Sequence, residues 1–368
     1  MERNDSAAYL SEQIITYIGN KRGLLDHLFA VFSDIQAALG KERLVCADIF
    51  SGSGFVARLL KQFSSLIIAN DLEYYSQIIN SCYLSNASEF DEDIYQHNAG
   101  IINRKLSGGL IRGIISNNYA PADDNAVMRG ERVFFTARNA MIIDTIRAAI
   151  DGVDPLYRRY FLAPLLYEVS VHNNTGGVFK GFYKDGSNIG KFGGGGGHAL
   201  SRIMGEITLQ KPVFSRHETD YQVFRTDANT LAGRLPPGLD LLYIDPPYNQ
   251  HPYGSNYFML NTVAAQKLGS NLSAVSGIPS DWNRSEYNRR RSALPKLESL
   301  IAEARSKYTV LSYNSEGFIS YPEVAETLGK YGTVYAHEIR YNTYRASRNL
   351  SARPKHVNEY IFVLKRRV

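Results

Sequence analysis

The sequence predicts an α/β protein built on a mixed, mainly parallel sheet and carrying an inserted, largely helical domain. Three observations predict it: short apolar runs that stop at polar residues, a glycine turn joining one such run to a helical pattern, and a central stretch where that alternation is lost. A chain of 368 residues fits two domains at roughly 150 residues each, one split by the other.

The first element is the apolar run 44–50, which ends in Ser51-Gly52-Ser53-Gly54 and is followed by helical spacing over 55–63. This is the pattern of strand, glycine turn and helix. A second apolar run, 65–69, stops at Asn70-Asp71 and completes a βαβ unit, with Glu73 close behind. Runs 239–244 and 308–311 lead into Asp245-Pro246-Pro247-Tyr248 and Ser312-Tyr313-Asn314, and 333–339 with 359–364 read as two antiparallel edge strands. In an open parallel sheet the carboxyl ends of strands line one crevice, where ligands bind. Between Tyr83 and Gly205 the alternation stops: 136–150 and 157–171 have helical spacing, and polar, aromatic, glycine-rich chain follows. Five glycines, 193–197, are expected to form a mobile loop or to pass close to another backbone.

Composition excludes several classes. With 44% hydrophobic and 21% charged residues the chain can bury a large core, which argues against disorder. Two cysteines, Cys46 and Cys82, make neither a disulfide framework nor a thiolate metal cage, and a reducing cytoplasm is expected. No apolar leader and no membrane-length apolar run is present. The eight histidines lack ligand spacing, so no metal is expected. The net charge of +5 is unevenly placed: Arg340, Arg345, Arg348, Arg353 and Lys355 lie in one stretch without carboxylates, and Arg284, Arg289, Arg290 and Arg291 interleave with Trp282 and Tyr287. Such clusters fit phosphates.

Two motifs carry chemistry. In Asp48-Ile49-Phe50-Ser51-Gly52-Ser53-Gly54 the glycines let backbone approach a ligand, and Asp71 follows roughly 20 residues later, where a carboxylate can accept from ribose hydroxyls. The third glycine of a dinucleotide fingerprint is missing, which argues against NAD. Asp245-Pro246-Pro247-Tyr248 ends a strand with two residues that have no N–H, so the corner presents acceptors. An exocyclic amine whose two N–H groups meet a carboxylate and a carbonyl gains electron density on nitrogen, and the tyrosine offers a face for a base.

Tyr17-Ile18-Gly19-Asn20-Lys21-Arg22, Asp48 to Gly54, Asp71 and Asp245 to Tyr248, in that order, resemble the Dam-like, Asp-Pro-Pro-Tyr class of site-specific adenine-N6 DNA methyltransferases, over most of the chain. The stretches 173–183, 251–261, 312–318 and 344–359 resemble the restriction-modification type. The resemblance implies a Rossmann-like methyltransferase fold, with 1–85 and 206–368 as catalytic domain and 86–205 as target-recognition insert. It implies S-adenosylmethionine held by Tyr17, Lys21, Asp48, Phe50, Gly52, Gly54, Asp71, Asp227 and Asp245. Asp245, Pro246, Pro247 and Tyr248 would be the catalytic set, binding the amino group of a flipped adenine that attacks the sulfonium methyl directly. Where many relatives carry tryptophan and a second glycine, this chain has Tyr17 and Asn20. Double-stranded DNA is the expected partner, through phosphate contacts from Arg345, Arg348 and Arg353 and groove contacts from Lys180, Tyr183 and Lys184. A cognate restriction endonuclease is an expected second partner. The alternatives are an RNA adenine methyltransferase and a catalytically silent nucleic-acid-binding module; glutamine-modifying relatives usually carry Asn-Pro-Pro-Tyr instead.

Overall fold

The computed structural model describes residues 6–194, 197, 199–342 and 356–367. Its centre is a seven-stranded sheet in the order β3-β2-β1-β4-β5-β7-β6. The strands are β1 (Leu44–Asp48), β2 (Ser64–Asp71), β3 (Asp220–Arg225), β4 (Leu241–Ile244), β5 (Tyr308–Asn314), β6 (Gly332–Asn342) and β7 (His356–Arg366). β1 to β5 pair in parallel, and β7 runs antiparallel between β5 and β6. This is the mixed Rossmann-like sheet expected from the sequence, and β1, the centre of its parallel part, sits between β2 and β4.

Side chains alternate across the strands, so the sheet has two buried faces. Cys46, Ile67, Tyr243 and Val310 join one core, while Ala47, Ile68, Leu242 and Leu311 join the other. The helical stretch between β2 and β3 shares the first of these cores, through Phe134, Ile146, Leu165 and Val169. Two of its helices start where a side chain accepts from a free amide of the first turn. Thr136 accepts from the Asn139 amide ahead of helix Ala137–Ile150, and Asp91 accepts from Ile94 ahead of helix Glu92–Ser107. Helix Arg159–Val171 packs against helix Tyr74–Tyr83, which follows β2, and so fixes this helical stretch to the sheet.

One strand was not foreseen, and one sequence expectation needs correction. β3 has no apolar run: Asp220 to Arg225 is largely exposed along the sheet edge, so only its pairing with β2 marks it as a strand. Ser312, Tyr313 and Asn314 do not follow β5 but belong to it, because β7 continues the ladder through Ser312↔Ile361 and Asn314↔Glu359. Of the glycine run, Gly193, Gly194 and Gly197 are described, and Gly194 passes close to the Tyr183 ring. Arg345, Arg348 and Arg353 lie outside the described residues.

Candidate active site

The carboxyl ends of β1, β2 and β4 open onto one cleft, enclosing about 680 Å³ including the part open to solvent. Tyr17, Phe50, Asp71, Asp227 and Asp245 line it, with Glu73, Tyr253 and Asn283. Asp71 ends β2 and ties two turns together: one oxygen accepts from the Gly52 amide at 2.8 Å and the other from the Glu73 amide at 2.9 Å. Burial raises its pKa, and these amides pull it back. Each oxygen keeps a second lone pair for a hydroxyl donor in the cleft. Asp227 caps helix Ala228–Ala232 by accepting from the Thr230 amide.

The glycine turn takes a left-handed backbone that glycine adopts without strain, since Gly52 and Gly54 have φ of +50° and +77°. A Cβ on Gly52 would stand 2.9 Å from Tyr17 Cε1, so the Tyr17 ring lies directly against this turn. That ring stacks on Tyr253 and Tyr257, at centroid separations of 4.9 and 4.7 Å, and its hydroxyl meets that of Tyr75 at 3.1 Å. Tyr17 therefore borders the cleft with its ring already packed on protein. Asp48, 1% exposed, stands behind the turn. Neither of its oxygens has a hydrogen-bond partner, although the Phe50 and Ala57 amides face it. Burial, then Asp245 and Asp71, push its pKa well above the usual carboxylate range.

At the end of β4, Asp245 meets Lys21, with 3.2 Å between Oδ1 and Nζ. Lys21 is 4% exposed and also lies 3.5 Å from Glu359 Oε2 on β7. Burial pushes the Asp245 carboxyl up to about 6, with Lys21 pulling it down and Glu359 pushing it up. Burial would strip Lys21 of its proton, but the two carboxylates hold its pKa well above the usual amine range. Past the two prolines, the Tyr248 carbonyl accepts from the Phe318 amide at 2.9 Å, and its ring meets Tyr313 edge-on. Burial raises the phenol to about 12. The next loop is anchored by Asn288 Nδ2, which donates to the Asn249 carbonyl.

The donor set fits S-adenosylmethionine. In a protein of net charge +5, the cleft gathers Asp71, Glu73, Asp227 and Asp245, a surround that favours a sulfonium and an ammonium over a pyrophosphate. The orphaned Asp48 carboxyl group behind the turn and the Asp71 oxygens, which can accept from hydroxyls, belong to the same site.

Of the residues expected from the sequence, Tyr17, Phe50, Asp71, Asp227, Asp245 and Pro247 line the cleft, while Lys21, Asp48, Gly52 and Gly54 support it from behind. Pro246 and Tyr248 complete the corner beyond Asp245. Tyr253, Asn283 and Glu359 were not foreseen as site residues. Tyr253 donates to the Ile18 carbonyl, and Asn283 holds Glu73 and the Leu72 carbonyl. Burial and the neighbouring Asp71 raise Glu73 to about 7. Cys46 and Cys82 are free, buried thiols raised to about 12, in keeping with a core role. Among the described residues no cluster of metal-ligating side chains occurs, and no helix is long and apolar enough to cross a membrane.

Comparison with known proteins agrees with this geometry. The chain is 28% identical over 361 residues to the type II methyltransferase M.NlaIII of Neisseria lactamica, covering 96% of this chain and 99% of that one. It is 28% identical to the type II methyltransferase M.CviAII of Paramecium bursaria Chlorella virus 1, covering 95% and 97%. With the type II methyltransferase M.FokI of Planomicrobium okeanokoites it shares 26% identity, over 95% of this chain and 52% of that one. Residues 17–276 match the model of the D12 class N6 adenine-specific DNA methyltransferases, which take their methyl group from S-adenosylmethionine, and the chain belongs to that family.

Proposed function

We propose that this methyltransferase modifies the adenine of one specific site in double-stranded DNA, as the modification partner of a cognate restriction endonuclease in the cytoplasm. The observation that carries the reading is the acceptor corner of Asp245 to Tyr248, opening onto an acidic cleft with a positive-φ glycine turn behind it. The type II relatives named above support the restriction-modification context.

Residues 1–85 and 206–368 form the catalytic domain in this reading, and 86–205 recognise the target. Bound S-adenosylmethionine supplies an electrophilic sulfonium methyl. Asp71 accepts from its ribose hydroxyls, Asp227 faces its adenine, and Tyr17, Phe50, Gly52 and Gly54 surround its methionine part, with Asp48 and Lys21 behind. Asp245 and the Pro246 carbonyl accept the two N–H groups of the target amine, which aims the nitrogen lone pair at the methyl. Pro247 keeps the corner rigid, and the Tyr248 ring supports the base. In a duplex the amino group is stacked, so the adenine leaves the helix at a cost of a few kcal/mol, offset by phosphate contacts and by stacking. Lys180, Tyr183 and Lys184 reach the groove from the insert, and Arg345, Arg348 and Arg353 meet phosphates.

The test is incubation of the purified protein with tritiated S-adenosylmethionine and either duplex DNA or RNA, with modification-sensitive sequencing of DNA from cells that express it. N6-methyladenine at one DNA site is expected, and Asp245→Ala should abolish it while still binding S-adenosylhomocysteine. Label in RNA alone, or full turnover by the Asp245→Ala protein, overturns the proposal.

A further inference from the structure

Glu359 is a buried carboxylate at the catalytic end of the sheet. It stands on β7, opposite Asn314 in the β5–β7 register, and is 6% exposed. Asn314 Nδ2 donates to its Oε1 at 3.3 Å. Its Oε2 accepts no hydrogen bond and faces Lys21 Nζ at 3.5 Å, the same ammonium that lies 3.2 Å from Asp245. One cation thus serves two acids, and the cluster keeps a net negative charge.

Burying an excess charge costs free energy, so an acid retained only for packing gains nothing by outnumbering its cation. The imbalance makes sense if a positive charge arises beside it. When the amine lone pair forms the N–C bond, the C–S bond breaks with its electron pair left on sulfur, which departs as a neutral thioether. The positive charge passes to the amine nitrogen next to Asp245, until one N–H proton goes to the Asp245 carboxylate and on to water. Lys21 and Asp245 alone would sum to zero and offer that nitrogen only the weaker field of an ion pair.

We propose that Glu359 is a positioning residue for methyl transfer: by sharing Lys21 with Asp245 from the neighbouring antiparallel strand, it leaves Asp245 an oxygen for the amine and gives the site its net negative charge. This rests on the reading of the chain as an amine methyltransferase. The groups facing Asp245 are Lys21 from the N-terminal segment, Asp48 from β1, Tyr243 from β4, Tyr248 and Tyr253 beyond it, and Glu359 from β7. Glu359 pushes the Asp245 pKa up, so removing its charge moves that pKa down.

The experiment compares the full chain with E359Q, which keeps the shape and loses the charge, and E359D, which keeps the charge on a shorter arm. With duplex DNA, E359Q should lose about 10- to 100-fold in kcat. Its KM for S-adenosylmethionine and its Kd for S-adenosylhomocysteine should stay within about threefold of the parent, as expected when the interaction removed is one made only in the transition state. The acid limb of kcat/KM should move to lower pH, and E359D should fall between the two. A folded E359Q with the parent's kcat and an unmoved acid limb overturns the proposal, as does a lowered Tm with unchanged kcat per S-adenosylhomocysteine site. Where E359Q does not fold, E359D decides: an intermediate kcat with the same direction of displacement supports it, and a parental profile overturns it. Absence of methyl transfer to DNA by the unaltered chain would count against the proposed function instead.

Discussion

Lys21 Nζ and Asp245 Oδ1, 3.2 Å apart, join the N-terminal segment to the end of β4 in an ion pair whose lysine is buried and whose carboxylate faces the cleft. Protonated Asp245 can neither stabilise the positive charge that develops on the amine nor take up its proton, so kcat/KM is expected to fall as pH drops through about 6. Lys21 pulls the Asp245 pKa down, so Lys21→Met should move this acid limb up toward neutrality, opposite to the displacement expected for E359Q. Removing the buried partner of this pair should also cost about 3 kcal/mol of stability. A pH–rate profile on duplex DNA, with urea unfolding alongside, measures both. An acid limb that stays in place in the Lys21→Met protein would show that the ion pair does not set the ionisation of Asp245.

Gly52→Ala tests the contact between the glycine turn and Tyr17. At φ +50° an alanine is strained by about 1 kcal/mol, and its Cβ would stand 2.9 Å from a ring that cannot retreat freely, because it packs on Tyr253 and Tyr257. Tyr17 would be displaced, and with it the Gly52 amide that donates to Asp71. Calorimetry is expected to show about tenfold or greater weakening of S-adenosylhomocysteine binding, with the fold retained. Unchanged affinity would remove Gly52 from the cofactor site.

Much of this site was legible because a parallel sheet brings the carboxyl ends of its strands to one edge. Asp48 and Asp71 end β1 and β2, Asp245 follows β4, and in a parallel sheet such ends converge. Glu359 was not legible as a partner of Lys21. It reaches the site because β7 runs antiparallel beside β5, and the register that sets it opposite Asn314 arises only on assembly. Tyr253 was hidden for a similar reason, since its bond to Ile18 spans most of the chain. β3 escaped because an exposed edge strand needs no apolar run. Spacing does not report such tertiary pairings.

Asp240, fully buried just before β4, accepts from Lys41 at 2.9 and 2.8 Å, from Lys307 at 2.9 Å and from the Val45 amide at 3.0 Å, binding β1, β4 and β5 at the end of the sheet away from the cleft. Burial raises its pKa, but Lys41, the Val45 amide and Lys307 together bring it below the usual carboxylate value. A depressed folded pKa contributes stability that is present above the unfolded value, near 4, and is lost as pH falls through the folded one. Asp240→Asn is expected to cost about 1–3 kcal/mol at pH 7, less at an acid pH below the unfolded carboxylate value, and to leave methyl transfer intact. Urea titrations at the two pH values check this, and an equal loss at both would mean that charge is not what Asp240 contributes.

Asn174 offers a way to loosen the proposed DNA-contacting loop without touching the cleft. Its side chain is fully buried; Nδ2 donates to the Val133 and Lys191 carbonyls, both at 2.8 Å, and Oδ1 accepts from the Gly193 amide at 2.9 Å. These bonds clamp both ends of the chain that carries Lys180, Tyr183 and Lys184, and the Phe179 amide fixes its middle to the Asn256 carbonyl. Asn174→Ala leaves buried backbone groups unsatisfied, at about 1–3 kcal/mol each, so the loop should detach locally while the sheet core holds. Affinity for duplex DNA should fall about tenfold or more, S-adenosylhomocysteine binding should not change, and hydrogen exchange should quicken over 174–193. The double variant Lys180→Ala, Lys184→Ala separates charge from shape: it should lower affinity for all sequences alike and reduce the salt slope by about one unit for each phosphate no longer neutralised. Parental DNA affinity in the Asn174→Ala protein, measured together with faster exchange, would place DNA recognition elsewhere on the insert.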